Sequence, residues 1–160
     1  MGRELATLNT LLVETFNAIL KVEEDSLRQV TGSQVTVNEM HILDAVGVGS
    51  RRTVSELAAA NMVTVSTMTI AVNRLETKGL VAREREPADR RVVKVRLTPR
   101  GEMIAVAHQR FHRRMADAVI QGLERDQIAV LTAAMENLMQ FFRLESTRNQ
   151  AAAEFEGLSD

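Results

Sequence analysis

A change of hydrophobic period near residue 80 constrains the fold of this chain more than any other feature. Between Thr53 and Gly79 the apolar residues recur every three or four positions, as they do in α-helices. From Leu80 to Leu97 they alternate with charged residues instead, on either side of Asp89. Such alternation around a polar turn is typical of a β-hairpin with a charged tip. The sequence therefore predicts helices followed directly by a hairpin.

Two short helices are predicted in front of the hairpin. The first begins at a capping box, residues 53–56 (TVSE), and ends near Ala60. After a turn at residues 61–63, a longer helix runs from Thr64 to Lys78 and ends at Gly79. Two helices joined by a tight turn make a helix-turn-helix, and a following hairpin turns this motif into a winged helix.

Long helices are predicted for the rest of the chain. The expected fold is mostly α with a small β-hairpin wing: a winged helix-turn-helix between N- and C-terminal dimerisation helices. We expect one domain over residues 1–148 and a flexible tail at 149–160, because the tail is acidic and Ala-rich without an apolar face. Within that domain the winged helix covers about 36–98, and the dimerisation helices cover about 4–30 and 99–148.

Positive charge is concentrated in the middle of the chain. The net charge is −1, but residues 51–100 hold 11 of the 20 Lys and Arg and 5 of the 21 Asp and Glu. Attraction to phosphate depends on the surface presented rather than on the chain average. A partner with a polyanionic surface, double-stranded DNA, fits this distribution, and the alternative is a cluster of solvated charges.

The candidate DNA contacts are short polar side chains of the second helix and its cap, together with basic side chains of the hairpin. They are Thr53, Thr64, Ser66, Thr67, Thr69, Asn73, Arg74, Arg83, Arg85, Arg90, Arg91 and Lys94. Asn73 and Arg74 can each form paired hydrogen bonds with a base edge. Composition alone equally allows Ser and Thr that are merely solvated or capping, and the arginine-rich hairpin favours DNA.

The middle of the chain resembles the MarR family of winged-helix transcriptional regulators. The resemblance rests on LETKGLV (75–81), DRR (89–91) and LTPRG (97–101), and it extends over about residues 5–147. It implies a homodimer whose first helix and last two helices form the dimer layer. It also implies two wings that read a pseudo-palindromic operator.

Four further segments resemble FabT-type repressors of fatty-acid-synthesis genes within that family. They are FNAILKVEEDSL (16–27), NEMHILDAVG (38–47), VTVSTMTIAVNRL (63–75) and AHQRFHRRM (107–115). This resemblance implies a repressor with long-chain acyl groups on acyl carrier protein as co-repressor. Residues that would line an acyl site are Phe16, Ile19, Leu20, Ile42, Phe111 and Met115, and the alternative is that they are plain core.

The three histidines form a second candidate site. His108 and His112 are four residues apart, so both project from one face of a helix, a spacing that metal sites use. The zinc-responsive branch of the MarR family has a similar pattern, which implies a site of Glu24, His41, His108 and His112. The alternative is a hydrogen-bond network of histidine and carboxylate without metal.

Several function classes are excluded or disfavoured. The chain has no Cys, so it has no cysteine nucleophile, disulfide or thiolate metal site. We find no Gly-rich phosphate loop and no Ser nucleophile motif, so an enzyme is not expected and no cofactor is required. A metal hydrolase or a helical interaction module would leave the arginine-rich hairpin without a purpose. No apolar stretch approaches a membrane span, so a cytoplasmic protein without membrane contact is expected.

Overall fold

The described residues of the computed structural model are 1–31, 34–86, 89 and 91–156, and they form six helices and three short strands. In chain order these are α1 (Gly2–Thr31), α2 (Val37–Val46), β1 (Arg52–Thr53), α3 (Val54–Ala60), α4 (Val65–Thr77), β2 (Val81–Arg85), β3 (Val93–Leu97), α5 (Pro99–Ile120) and α6 (Arg125–Glu156). This order confirms the predicted mostly helical fold with a hairpin wing.

The chain divides into two units, Met1–Gln109 and Arg110–Asp160. The first unit contains α1 to α4, the three strands and the first half of α5. The second unit contains the rest of α5 and helix α6. Because the boundary lies inside α5, the single domain expected over residues 1–148 stays a prediction.

Capping explains where the short helices begin. In the box before α2, the Thr36 N–H donates to the Glu39 carboxylate at 3.0 Å, and the Glu39 N–H donates to the Thr36 hydroxyl at 3.2 Å. Thr53 and Glu56 form the same reciprocal pair before α3. These bonds satisfy backbone donors that the first turn of a helix leaves open. The capping box predicted at residues 53–56 is confirmed, and the box at residues 36–39 is of the same kind.

The turn of the helix-turn-helix lies where it was predicted. The Asn61 side chain donates to the Leu57 carbonyl at 2.8 Å, and Met62 has φ of +54°. The next helix, α4, is followed by Gly79, whose φ of +67° is in the region that glycine adopts at helix ends. The predicted glycine stop is confirmed.

The wing is part of a three-stranded antiparallel sheet of order β1-β3-β2. In the hairpin, Arg83 lies opposite Val95, and Arg52 of β1 lies opposite Val95 on the other side. The hairpin was predicted and β1 was not. A strand of two residues is too short for an alternating pattern, and its pairing depends on a partner more than 40 positions away.

The core of the first unit lies between the helices and the sheet. Leu43, Leu57, Leu75 and Val95 are all 0% exposed, and they come from α2, α3, α4 and β3. Burying aliphatic side chains of this size contributes about 1.5–3 kcal/mol each. Tertiary packing therefore fixes α4 against the wing.

Gly101 in the LTPRG segment has a packing role. A Cβ at this position would lie 2.1 Å from the Leu80 carbonyl oxygen, which itself accepts the Thr98 N–H at 3.0 Å. The Thr98 hydroxyl donates to the Gly79 carbonyl at 2.7 Å and accepts the Gly101 N–H at 3.2 Å. The start of α5 is therefore fastened to the end of α4 by contacts that only glycine allows.

Helix α6 differs from the prediction at its end. The last helix was expected to stop near residue 148, with a flexible tail at 149–160, but α6 continues to Glu156. Residues 157–160 lie outside the described part of the chain. The Ala-rich composition that looked featureless has the highest helix propensity, and no Gly or Pro interrupts it before Gly157. The predicted end of the last helix near residue 148 is therefore wrong, and the flexibility of the tail stays a prediction.

Helix α1 corrects another expectation. Within the described residues, Gly2–Gln29 is long and apolar enough to cross a membrane by length and composition, although no such stretch was expected. The apolar residues come in short runs separated by polar ones, so the mean hydropathy is high only when it is taken over a long stretch of α1. One helix of this kind is weak support for insertion, because core helices of soluble proteins and signal sequences have a similar length and composition. Near its end, Glu23 and Leu27 are buried within the protein.

Candidate functional site

Helix α4 has one buried face and one polar, exposed face. Met68, Val72 and Leu75 are buried against the core. The opposite face includes Ser66, Thr67, Ile70, Asn73 and Arg74, all of them exposed, and the half-buried Thr69. Short donors and acceptors beside an aliphatic side chain match what base edges in a major groove present.

Three of the predicted DNA-contact threonines also bond to their own helices. Thr53 and Thr64 are the N-caps of α3 and α4, and the Thr64 hydroxyl accepts the Thr67 N–H at 3.1 Å. The Thr69 hydroxyl donates to the Val65 carbonyl at 2.8 Å. These hydrogen bonds thus fix the side chains, and the hydroxyl oxygen of each still has a lone pair for a donor.

A network joins the base of the wing to α4. The Arg83 guanidinium donates to the Asn73 side-chain carbonyl at 2.6 Å and forms an ion pair with the Glu76 carboxylate. The Asn73 amide oxygen therefore faces Arg83 of the wing, and a DNA contact of Asn73 stays a prediction. The Arg83 guanidinium, which was also predicted to contact DNA, bonds to these two side chains of α4.

The hairpin carries ion pairs along its strands. Arg96 pairs with Glu84, which also lies 3.5 Å from Arg51, and Lys94 pairs with Glu86 at 2.5 Å. The hydrogen bond and charge of Lys94 hold the pKa of the Glu86 carboxyl below its ordinary value. Lys94 was predicted to contact DNA. In the structure its ammonium group forms an ion pair with Glu86.

The tip of the wing holds the remaining predicted basic contacts. Arg85 and Arg91 are exposed, and Arg90 lies outside the described residues. The Asp89 carboxylate accepts the Arg91 backbone N–H at 3.0 Å, so Asp89 meets Arg91 through the backbone in this bond.

A buried carboxylate meets two histidines inside the first unit. The Glu23 carboxylate on α1 lies 3.3 Å from His41 Nε2 on α2 and 3.3 Å from His108 Nε2 on α5. The two rings are 5.3 Å apart at their centroids. Glu23 and His108 are buried, whereas His41 is partly exposed. Three elements distant in sequence thus place ligand-type atoms within 4.8 Å of one another.

This geometry fits a zinc ion. Zinc bonds of about 2.0–2.1 Å to nitrogen and oxygen in a tetrahedron give ligand separations of roughly 3.3 Å. Asp44 faces the other nitrogen of His108, Nδ1, at 3.8 Å, as a carboxylate does when it orients a metal-bound histidine. His112, the remaining histidine of the predicted set, follows His108 by one turn of α5 and belongs to the second unit.

The structure corrects the carboxylate of this predicted site. Glu24 is exposed and pairs with Arg28 at 3.0 Å, whereas Glu23 faces the histidines. A signal for this was present, because Glu23 shares a helix face with Ile19 and Leu27 at steps of four. The neighbouring residue Glu24 lies about 100° away on the helix.

The residues predicted to line an acyl site differ in their exposure. Phe16 and Leu20 are exposed on α1, Ile19 beside them is half-buried, and Ile42 is 3% exposed in the core. Ile42 packs among core residues of the first unit, so plain core describes it better than a ligand-lining residue. Phe111 and Met115 are half-buried on the second half of α5.

An ion pair that was not predicted anchors the end of α4. Lys78 Nζ lies 2.7 Å from both carboxylate oxygens of Glu39, which also belongs to the Thr36 capping box. Burial alone would raise the pKa of Glu39, but Lys78 and Thr36 outweigh it and hold the pKa below its ordinary value. The position of Glu39, three residues after Thr36, already accounts for its carboxylate as a helix cap. Nothing in the sequence pointed to Lys78, 39 residues away, as a second partner.

Comparisons with known proteins agree with this geometry. A model of the MarR family matches residues 33–92, the winged-helix part. The crystal structure of Streptococcus pneumoniae FabT in complex with DNA is similar, with 37% identity and a TM-score of 0.76. That match covers 87% of this chain and 97% of the FabT chain.

Two curated relatives match over shorter segments. The transcriptional repressor MdtR of Bacillus subtilis is 31% identical over 52% of this chain and 54% of MdtR. The transcriptional regulator Hpr of Exiguobacterium sibiricum is 30% identical over 64% of this chain and 55% of Hpr. The chain therefore spans about half the length of these two relatives.

Proposed function

The chain belongs to the MarR family, and from this we propose that it is a homodimeric repressor that reads a pseudo-palindromic DNA operator. The observation that carries the proposal is the exposed polar face of α4 beside an arginine-tipped wing. In a winged helix the second helix enters the major groove, and the hairpin reaches the backbone or the next groove. The similar FabT chain was crystallised with DNA.

The family and the curated relatives are transcriptional regulators, so the prediction that the chain is not an enzyme is confirmed. Our proposal adds a cytoplasmic location, no membrane contact and no required cofactor. Dimerisation is supported by the exposed apolar face of α1. Leu5, Leu8, Leu12 and Phe16 are between 39% and 67% exposed there, at helical spacing. An isologous interface would bury such a face on both protomers at once.

A mobility shift on the protein's own upstream DNA tests the DNA-binding proposal. Arg91→Ala should weaken binding and lower the slope of log affinity against log salt by about one, because each phosphate contact releases counterions. Arg28→Ala removes the same charge from α1 and serves as the matched control. The proposal would be contradicted if Arg91→Ala bound the upstream DNA as tightly as the wild type, and if the wild type bound unrelated DNA equally well.

The proposed co-repressor is a long-chain acyl group on acyl carrier protein. The support is the 37% identity with FabT and the apolar residues Phe16, Ile19 and Leu20 on one stretch of α1. Adding long-chain acyl carrier protein to the mobility shift on a fatty-acid-synthesis promoter should tighten the complex. The same carrier protein without an acyl group is the control, and an equal effect of both would rule out acyl sensing.

A second candidate function is zinc-responsive regulation, which the cluster of Glu23, His41 and His108 favours. A bound zinc would supply a fixed positive charge that ties α1, α2 and α5 together, and these three residues would hold it. Zinc per protomer, measured after dialysis, should fall from about one to near zero in Glu23→Gln and in His108→Ala. Glu24→Gln is the matched control and should keep its zinc. Equal zinc in all four proteins, or none in the wild type, would refute this alternative.

A further inference from the structure

The network between the wing and α4 bears on which base the protein reads. Asn73 and Glu76 are three residues apart on α4, so both point to the same side of the helix, towards Arg83 of β2. The guanidinium meets the Asn73 oxygen and the Glu76 carboxylate, and the Arg83 N–H lies 3.4 Å from Glu76 Oε1. One arginine thus holds two side chains of the DNA-facing helix.

The chemistry of arginine fixes the orientation of the Asn73 amide. A guanidinium has five donors and no acceptor, so the Asn73 atom that it meets must be the carbonyl oxygen. The Asn73 side chain is exposed, and its NH₂ group with two donors is the end left to face outward. Asn73 is on the same helix face as Ser66 and Ile70, at steps of four and three.

Arg83 is itself well held. Its side chain is 26% exposed, its residue pairs with Val95 in the middle of the hairpin, and Glu76 balances its charge. Charge-assisted bonds of this kind are stronger than neutral ones. The orientation of Asn73 is therefore set before any DNA arrives.

We propose that Arg83 is a positioning residue that makes Asn73 a donor-only reader of a guanine. This rests on the proposed DNA-binding function. Guanine presents two adjacent acceptors, O6 and N7, in the major groove, which suit an NH₂ group. Adenine is best read by asparagine through both amide atoms, N6 to oxygen and N7 to nitrogen. Because Arg83 holds the Asn73 oxygen towards the wing, the amide presents its NH₂ group to the groove instead of both of its polar atoms.

Selection from a random duplex library, followed by sequencing, tests this inference. The base pair read by residue 73 is the one whose preference falls in Asn73→Ala, by about 5- to 100-fold for one good contact. The wild type should prefer guanine there. Arg83→Met frees the Asn73 oxygen and should shift the preference to adenine. Arg85→Met, two positions along the same strand, is the matched control and should weaken binding without changing that base.

A second variant tests the same idea with the network intact. Asn73→Asp keeps the bond to Arg83 but offers only acceptors, so the preferred base should change to one with a donor, cytosine or adenine. Far-UV circular dichroism of each variant should match the wild type. If the wild type selects a motif and Arg83→Met keeps guanine, or if the wild type already prefers adenine, the inference is overturned and DNA binding stands. If the wild type selects no sequence at all, the proposed function is itself wrong.

Discussion

Helices α4 and α1 use their apolar residues in opposite ways. On α4, Met68, Val72 and Leu75 are at most 1% exposed, whereas Leu8 and Phe16 on α1 are 54% and 61% exposed. The winged helix is thus complete within one protomer, and much of α1 has an apolar face without cover in the same chain. The difference teaches that the winged helix packs within one chain, whereas the apolar face of α1 is left for the proposed dimer to cover.

The largest expected effect breaks the buried half of this comparison. Leu75→Ala removes a side chain that is 0% exposed at the centre of the core, and it should lower the free energy of unfolding by about 2–5 kcal/mol. Urea denaturation followed by circular dichroism measures this. Val48→Ala, in a 43% exposed position, is the matched control and should change the free energy by less than about 0.5 kcal/mol. Similar losses for both variants would contradict the burial pattern.

A second change tests the fastening of α5 to the end of α4. Gly101→Ala places a methyl group against the Leu80 carbonyl, where the backbone must move, and it should destabilise by about 1–3 kcal/mol. Denaturation midpoints and m-values measure the loss. Gly2→Ala, where a Cβ meets nothing within 4 Å, is the control. An unchanged midpoint in Gly101→Ala would show that the close approach is absent.

The exposed half of the comparison is tested at Phe16. Phe16→Asp puts a charge into the apolar face of α1, and we expect the dimer dissociation constant to rise at least tenfold, about 1.4 kcal/mol. Sedimentation equilibrium measures it. Lys21→Asp changes another exposed α1 residue and is the control. The two variants should retain the same helix content, and a Phe16→Asp dimer as tight as the wild type would show that this face is not the interface.

The same contrast explains how far the sequence could predict the structure. Helices α2 to α4, the hairpin and the glycine stop at Gly79 follow from local signals, because caps and periodicity act within a few residues. Strand β1, the Lys78 contact with Glu39 and the Arg83 contact with Asn73 depend on side chains that only the folded chain brings together. The prediction of Glu24 instead of Glu23 placed the carboxylate on the wrong face of α1. Glu23 is four residues before Leu27 and therefore lies on the same face as that buried side chain.

The smallest expected effect concerns the ion pair that anchors α4 to α2. Glu39→Gln should lower the free energy of unfolding at neutral pH by about 1–2 kcal/mol, since a charge-assisted pair at a part-buried site is lost. The pKa of Glu39 is lowered in the folded protein, so its carboxylate stabilises the fold above its ordinary pKa. That stability is lost as the pH falls through the lowered value.

Urea titrations of both proteins at pH 7 and at successively lower pH measure this linkage. The gap between wild type and Glu39→Gln should shrink towards zero on acidification, because the protonated wild-type carboxyl then resembles the amide. Glu24→Gln is the matched control, since its pair with Arg28 is exposed and contributes about 0–1 kcal/mol at any pH. No gap at pH 7, or a gap that stays constant with pH, would mean that the ion pair with Lys78 does not anchor α4.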